Sequence, residues 1–77
     1  MKRVIRNKET GDYLCTDGSW RRDHSAATNF KDTLSVLQAT HKLDRTKLEQ
    51  VLMITDVPSS LDVAVALSVP VWSGDGN

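Results

Sequence analysis

Cys15 and His24 are the side chains of this chain best suited to covalent chemistry. A thiol beside an imidazole can pass its proton to the ring and become a nucleophile, with Asp17 or Asp23 orienting the ring. Both residues lie near one turn. The surroundings argue against such use. A chain of 77 residues leaves little room for a substrate cleft, an oxyanion hole and a supporting shell together. Free cysteine is also among the most commonly buried residue types, and no triad signature surrounds this one. The chain therefore reads as non-enzymatic.

Other ligand chemistries find even less support. No Cys or His pair has zinc-ligand spacing. Asp56 and Asp62 flank a turn, but two carboxylates do not satisfy a calcium ion that takes six or more oxygens. Asp17-Gly18 and Gly74-Asp75-Gly76 are turn and terminus, not a phosphate cradle at a helix start. His41 falls near a helix end and reads as an exposed side chain. No cofactor and no metal site is expected.

Charge offers a second possibility. The formal net charge is zero. Residues 1–31 nevertheless carry seven basic side chains against four acidic, a net of +3, and residues 32–77 carry −3. Arg3, Arg6, Arg21 and Arg22 would form a nucleic-acid contact if the first strand and the Trp20 segment were neighbours. Tyr13 or Trp20 would then stack on a base, provided either is exposed. The near-neutral isoelectric point, and the lack of an RNP motif, a GXXG loop or helix-turn-helix spacing, make this the weaker alternative.

The elements that would position these residues are short. Residues 2–7 read as a strand and Asp12–Thr16 as its return, joined at Asn7–Gly11, where Gly11 is free to take positive φ. Alternation then puts Tyr13 and Cys15 on one face and Leu14 on the other. Asp17-Gly18 is a second turn, and Trp20 after it reads as a core plug. Ser25-Ala26-Ala27 suits a short helical turn. Asp32 would cap a helix ending near Lys42, with Phe30, Leu34 and Leu37 facing the sheet. Residues 44–54 fit a helix capped by Asp44 or a strand, and periodicity does not separate the two. The strand is preferred, because Leu61, Val63, Val65 and Leu67 alternate with Asp62, Ala64, Ala66 and Ser68 beyond a turn at Val57–Ser60, and such a strand needs a mate. Pro70 would end the pairing or mark a sheet edge.

The expected fold is α+β, in the order β-β-α-β-β: a mostly antiparallel four-stranded sheet with one helix on one face. Residues 1–72 would form a single domain and 73–77 a frayed end. A domain of this size hides only ~60% of its unfolded surface, and one cysteine allows no internal disulfide. An unpaired thiol fits a reducing cytoplasm, and no apolar run reaches the ~20 residues of a spanning helix.

Val4-Ile5-Arg6-Asn7, Thr10-Gly11-Asp12-Tyr13-Leu14, Asp17-Gly18-Ser19-Trp20, Ala27 and Phe30 together resemble the opening of small uncharacterised bacterial and phage-like proteins. The resemblance covers less than half of the chain. It is a pattern of turns and core positions, so it implies no activity and assigns no functional residue.

A protein partner is the remaining expectation. One helix does not cover four strands, so the other face must be polar or meet something. The last strand backs its Leu/Val stripe with Ala64 and Ala66 rather than charges, which suits a second packed layer, including one from another copy of the chain. Open sheet edges recruit strands from partners, and Trp72 beside Pro70 would add an interface aromatic. Ala64, Ala66 and Trp72 are thus the expected contact residues of a protein-interaction module able to self-associate.

Overall fold

The structure, a computed structural model, describes residues 1–67. Five strands form one antiparallel sheet: β1 (Lys2–Asn7), β2 (Tyr13–Leu14), β3 (Trp20–Arg21), β4 (Leu48–Met53) and β5 (Val63–Ala66), in the spatial order β3-β2-β1-β4-β5. Among the described residues one α-helix, α1 (Thr33–Ala39), lies between β3 and β4 in sequence. The α+β class expected from the sequence holds, and the strand count rises from four to five. The additional strand is the two-residue β3, too short to show a period; Trp20 pairs with Leu14 and Arg21 with Tyr13.

Two turns place β1, β2 and β3 side by side. Gly11 and Gly18 take φ of 79° and 85°, a region that side chains with a Cβ enter only with strain. Asn7 accepts from the amides of Glu9 and Thr10 through its side chain, closing the first turn, and Asp17 accepts from the Ser19 amide and hydroxyl in the second. Beyond Leu14 the chain leaves β1, and residues 27–30 fill the gap. The Thr28 amide donates to the Leu14 carbonyl and the Phe30 amide to the Arg3 carbonyl, which satisfies backbone groups that β2 is too short to reach.

Asp32 caps α1 as expected, accepting from the Ser35 amide at 2.8 Å. The helix stops at Ala39 rather than near Lys42. Arg45, not Lys42, serves its C-terminal end: it donates to the Leu37 carbonyl at 2.6 Å and to the Thr40 hydroxyl at 3.1 Å. The buried helical side chain is Val36, whereas Leu34 is 63% exposed. Beginning the helix at Thr33 sets this phase, since residues 36 and 40 stack on one face and 34 turns away. Phe30 and Trp20 both pack, half-buried, against the core from outside the helix.

Residues 44–54 resolve into both expected alternatives in turn. Asp44 caps a one-turn 3-10 helix (Arg45–Lys47), and β4 follows at once. β4 pairs with β1 over six positions, from Lys2↔Met53 to Asn7↔Leu48, and with β5 over four, from Glu49↔Ala66 to Leu52↔Val63.

Register divides the core into two clusters. Ile5, Leu14, Val36, Leu48 and Leu67 pack on the helix side of the sheet. Val4, Tyr13, Ala27, Val51 and Met53 pack on the opposite side. That second face is not bare. The 3-10 turn His24–Ala26 and the following Ala27 lie against it, and Lys2 Nζ donates to the His24 carbonyl at 3.1 Å. Asp23 caps this turn, its carboxylate accepting from the Ser25 amide and hydroxyl.

Candidate functional site

The four arginines are placed differently. β1 alternation puts Arg3 on the helix side and Arg6 on the other. Arg3 Nη1 donates to the Lys31 carbonyl at 2.6 Å, and its Nε is buried without a partner among the described residues. Arg6 Nε and Nη2 both reach Glu49 Oε2, at 2.6 Å each. Burial opposes the Arg6 charge, but the bond and charge of Glu49 outweigh it and raise the pKa. Arg6 and Arg21 do come together, flanking Tyr13 in a cross-strand row, Arg6↔Tyr13 and Tyr13↔Arg21. Tyr13 itself is buried, so its ring is not free to stack on a base. Arg21 lies 3.6 Å from Asp17, and Arg22 lies 3.6 Å from Asp12. Each exposed arginine of this set therefore faces a carboxylate.

Cys15 and His24 share no hydrogen bond. The buried thiol donates weakly to the Tyr13 carbonyl at 3.7 Å, and His24 Nδ1 is buried without a partner among the described residues. Cys15 instead borders a cavity of about 350 Å³ with Leu14, Trp20, Phe30, Ala39 and Leu43, on the helix side of the sheet. Among the described residues no charged side chain lines it, whereas a second cleft at Cys15, bordered by Thr16 and Ala26, does hold Asp17 and Arg21.

The remaining sequence-based site is β5. It is the last strand of the sheet, and every residue from Val63 to Ala66 is exposed. Val63 and Val65 stand 52% and 45% exposed, although the sequence presents them as the inward stripe. The reason is position. Among the described residues β5 has a neighbour on one side, and the buried helical side chain, Val36, packs on the cluster of Ile5, Leu14 and Leu48 nearer the middle of the sheet.

Register also fixes where the β5 backbone points. The Phe30 amide reaches the Arg3 carbonyl on the β2 side, so Lys2, Val4 and Arg6 direct their backbone groups towards Met53, Val51 and Glu49 of β4. Leu48, Gln50 and Leu52 then turn theirs to β5, as the Leu67 amide on the Leu48 carbonyl confirms. On β5 itself, Val63 and Val65 bond to β4, and Ala64 and Ala66 direct N–H and C=O away from the sheet. The side chains of Ala64 and Ala66 lie on the face of Val51 and Glu49, opposite the helix. Trp72, the third expected contact residue, and Pro70 lie outside the described residues.

The exposure of Val63 and Val65 and the outward backbone of Ala64 and Ala66 are what sequence reasoning missed. The uncharged Val-Ala-Val-Ala run was visible, but only the strand order shows that it is an edge. The fold and this edge define a small antiparallel α+β domain whose outer strand, among the described residues, has no covering element. No family model matches the chain, and neither a curated protein nor a solved structure matches it. Among the described residues no helix is long and apolar enough to cross a membrane.

Proposed function

We propose that the protein is a non-enzymatic interaction module that binds an extended protein segment along β5. The observation that carries this reading is the outward backbone of Ala64 and Ala66 on a strand exposed on both faces. A partner strand laid there gains backbone hydrogen bonds from those residues and apolar contact from Val63 and Val65. Natural edges are blunted with lysine, proline or a bulge, and β5 carries none of these. An unprotected edge of this composition is a liability unless something occupies it. The unpaired Cys15 thiol is consistent with work in the cytoplasm.

Backbone amide exchange tests the reading. In dilute protein the amides of Ala64 and Ala66 should exchange ~10-fold or more faster than those of Val63 and Val65, which bond to β4. Equal protection at all four positions in a dilute monomer would show that the chain covers its own edge, and the module reading would fall.

The nucleic-acid alternative through Arg3, Arg6, Arg21 and Arg22 has less support, because Arg3 and Arg6 lie on opposite faces and Arg6 is taken up by Glu49. Salt-sensitive amide shifts around Arg21 and Arg22 on adding a short single-stranded oligonucleotide would revive it.

A further inference from the structure

We infer that the segment paired on β5 is β5 of a second copy of this chain, related by a twofold axis beside Val65. The inference rests on the reading of β5 as an interaction edge and adds the identity and register of the partner. With Ala64 and Ala66 turned outward, antiparallel pairing makes them the hydrogen-bonding residues of the new ladder. An axis at Val65 sets Ala64 against the partner's Ala66, Val65 against the partner's Val65, and Val63 against the partner's Leu67. Every pair is apolar and matched in character to its opposite. Moving the axis to Ala64 would instead oppose Ala66 to the partner's Asp62, and the run of apolar pairs would be lost.

Two observations suit a second copy. β5 has no charge of its own, so bringing two together opposes no like charges within the strand. The other end of the sheet does not compete. β3 is two residues long and carries Arg21, so head-to-tail pairing of β5 on β3, which would propagate into a filament, finds almost no ladder there. Twofold pairing of β5 on β5 consumes both vulnerable edges at once and closes. It joins two five-stranded sheets into one of ten strands, with Val63 and Val65 of both copies in a continuous stripe on the helix side. One strand per copy makes a contact below about 1,200 Å² in total, so the dimer is expected to be weak.

Cysteine crosslinking reads the register directly. Val65→Cys would place its sulfur opposite that of the partner at a non-hydrogen-bonded position, with Cα atoms ~4.5 Å apart, within disulfide range. Val63→Cys is equally exposed on the same face, but the axis separates it from its own counterpart by roughly 13 Å. Under mild oxidation Val65→Cys should form covalent dimer at least ~10-fold faster than Val63→Cys, and the unaltered chain, whose only thiol is the buried Cys15, should form none. Equal rates for the two variants would mean random collision and would overturn the inference. So would a chain that stays monomeric at high concentration with rapidly exchanging Ala64 and Ala66 amides; that result leaves the open edge standing and hands it to a different partner. As a check on folding, Ala64→Pro removes an outward N–H without touching a β4–β5 bond. It should keep the thermal transition and abolish dimerisation; a variant that dimerises as well as the parent counts against the pairing.

Discussion

β1 and β5 flank the same strand, β4, and both are rich in β-branched side chains, yet one is the centre of the molecule and the other its rim. Val4 and Ile5 are fully buried, one on each face, beneath the His24–Ala27 segment and α1 respectively. Val63 and Val65 sit one strand beyond β4 from Ile5 and are about half exposed. Apolar composition is therefore not what buries a residue here. Burial follows from having a strand on both sides and a layer above, and among the described residues the seven-residue α1 covers the middle of the sheet but not its edge. Solvent-facing valines are tolerable singly; on an edge strand they stand beside outward N–H and C=O groups that water or another strand must meet.

The sharpest way to break this comparison is to cut the same kind of side chain on either side of β4. Ile5→Ala empties a fully buried position and should cost about 2–5 kcal/mol. For a domain of this size that is a large part of the whole stability, at about 0.05–0.15 kcal/mol per residue, so urea unfolding should shift to much lower midpoints or be lost. Val65→Ala removes a side chain already half in water and should lower the stability by less than about 1 kcal/mol, leaving the midpoint close to that of the parent. Comparable losses from both would mean that β5 is covered in the dilute monomer.

The next largest effect concerns the cover itself. α1 is short, and one of its last carbonyls, Leu37 O, is met by Arg45, which also bonds the buried Thr40 hydroxyl. Arg45→Ala should cost about 1–2 kcal/mol, because a buried hydroxyl and a helix end lose a charged donor at once. Arg45→Lys should recover little, since one ammonium on a shorter reach does not replace a planar fork that meets two acceptors. Chemical denaturation of both variants separates these outcomes. A fully stable Arg45→Ala chain would show that Val36 packing alone holds the helix on the sheet.

How much of this was legible beforehand depends on whether the signal was local. The turns at Gly11 and Gly18 and the Asp32 cap each rest on a few adjacent residues whose chemistry allows one reading, whereas β4 is preferred over a helix only because the alternating run after Pro58 needs a mate. β3 was not legible, since two residues have no period, and Trp20 looked like a plug when it is also a ladder residue. The phase of α1 depends on where its cap sits to within one residue, which is enough to exchange Leu34 for Val36. The exposure of β5 depends on strand order, a long-range property that alternation along the strand does not encode. The arginine placement failed to be legible for the same reason: Glu49, which takes up Arg6, is 43 residues away in sequence.

The smallest effect is a dependence on acid that falls on one side of the molecule. Asp17, Asp23, Asp32 and Asp44 each accept from a serine or threonine two or three residues on, Ser19, Ser25, Ser35 and Thr46, and these bonds lower each carboxyl below the ordinary 3.8. A carboxyl lowered in the folded state adds stability above the ordinary value, and that contribution fades as pH falls through the lowered one. All four are solvent-exposed, so each contribution is small, and the prediction concerns direction and place. They lie between β2 and β4, in the segments that carry α1 and the His24–Ala26 turn onto the sheet. The β4–β5 hairpin contains none of them. Acid below about pH 3.8 should therefore speed amide exchange around residues 17–47 before it does so at Val63 and Val65, which hold to β4. Asp32→Asn keeps the cap but removes its titration, and should flatten part of the pH dependence of the α1 amides. Simultaneous loss of protection in the hairpin and in α1 would mean that edge and centre unfold as one unit, and that the difference between them is one of exposure and not of local stability.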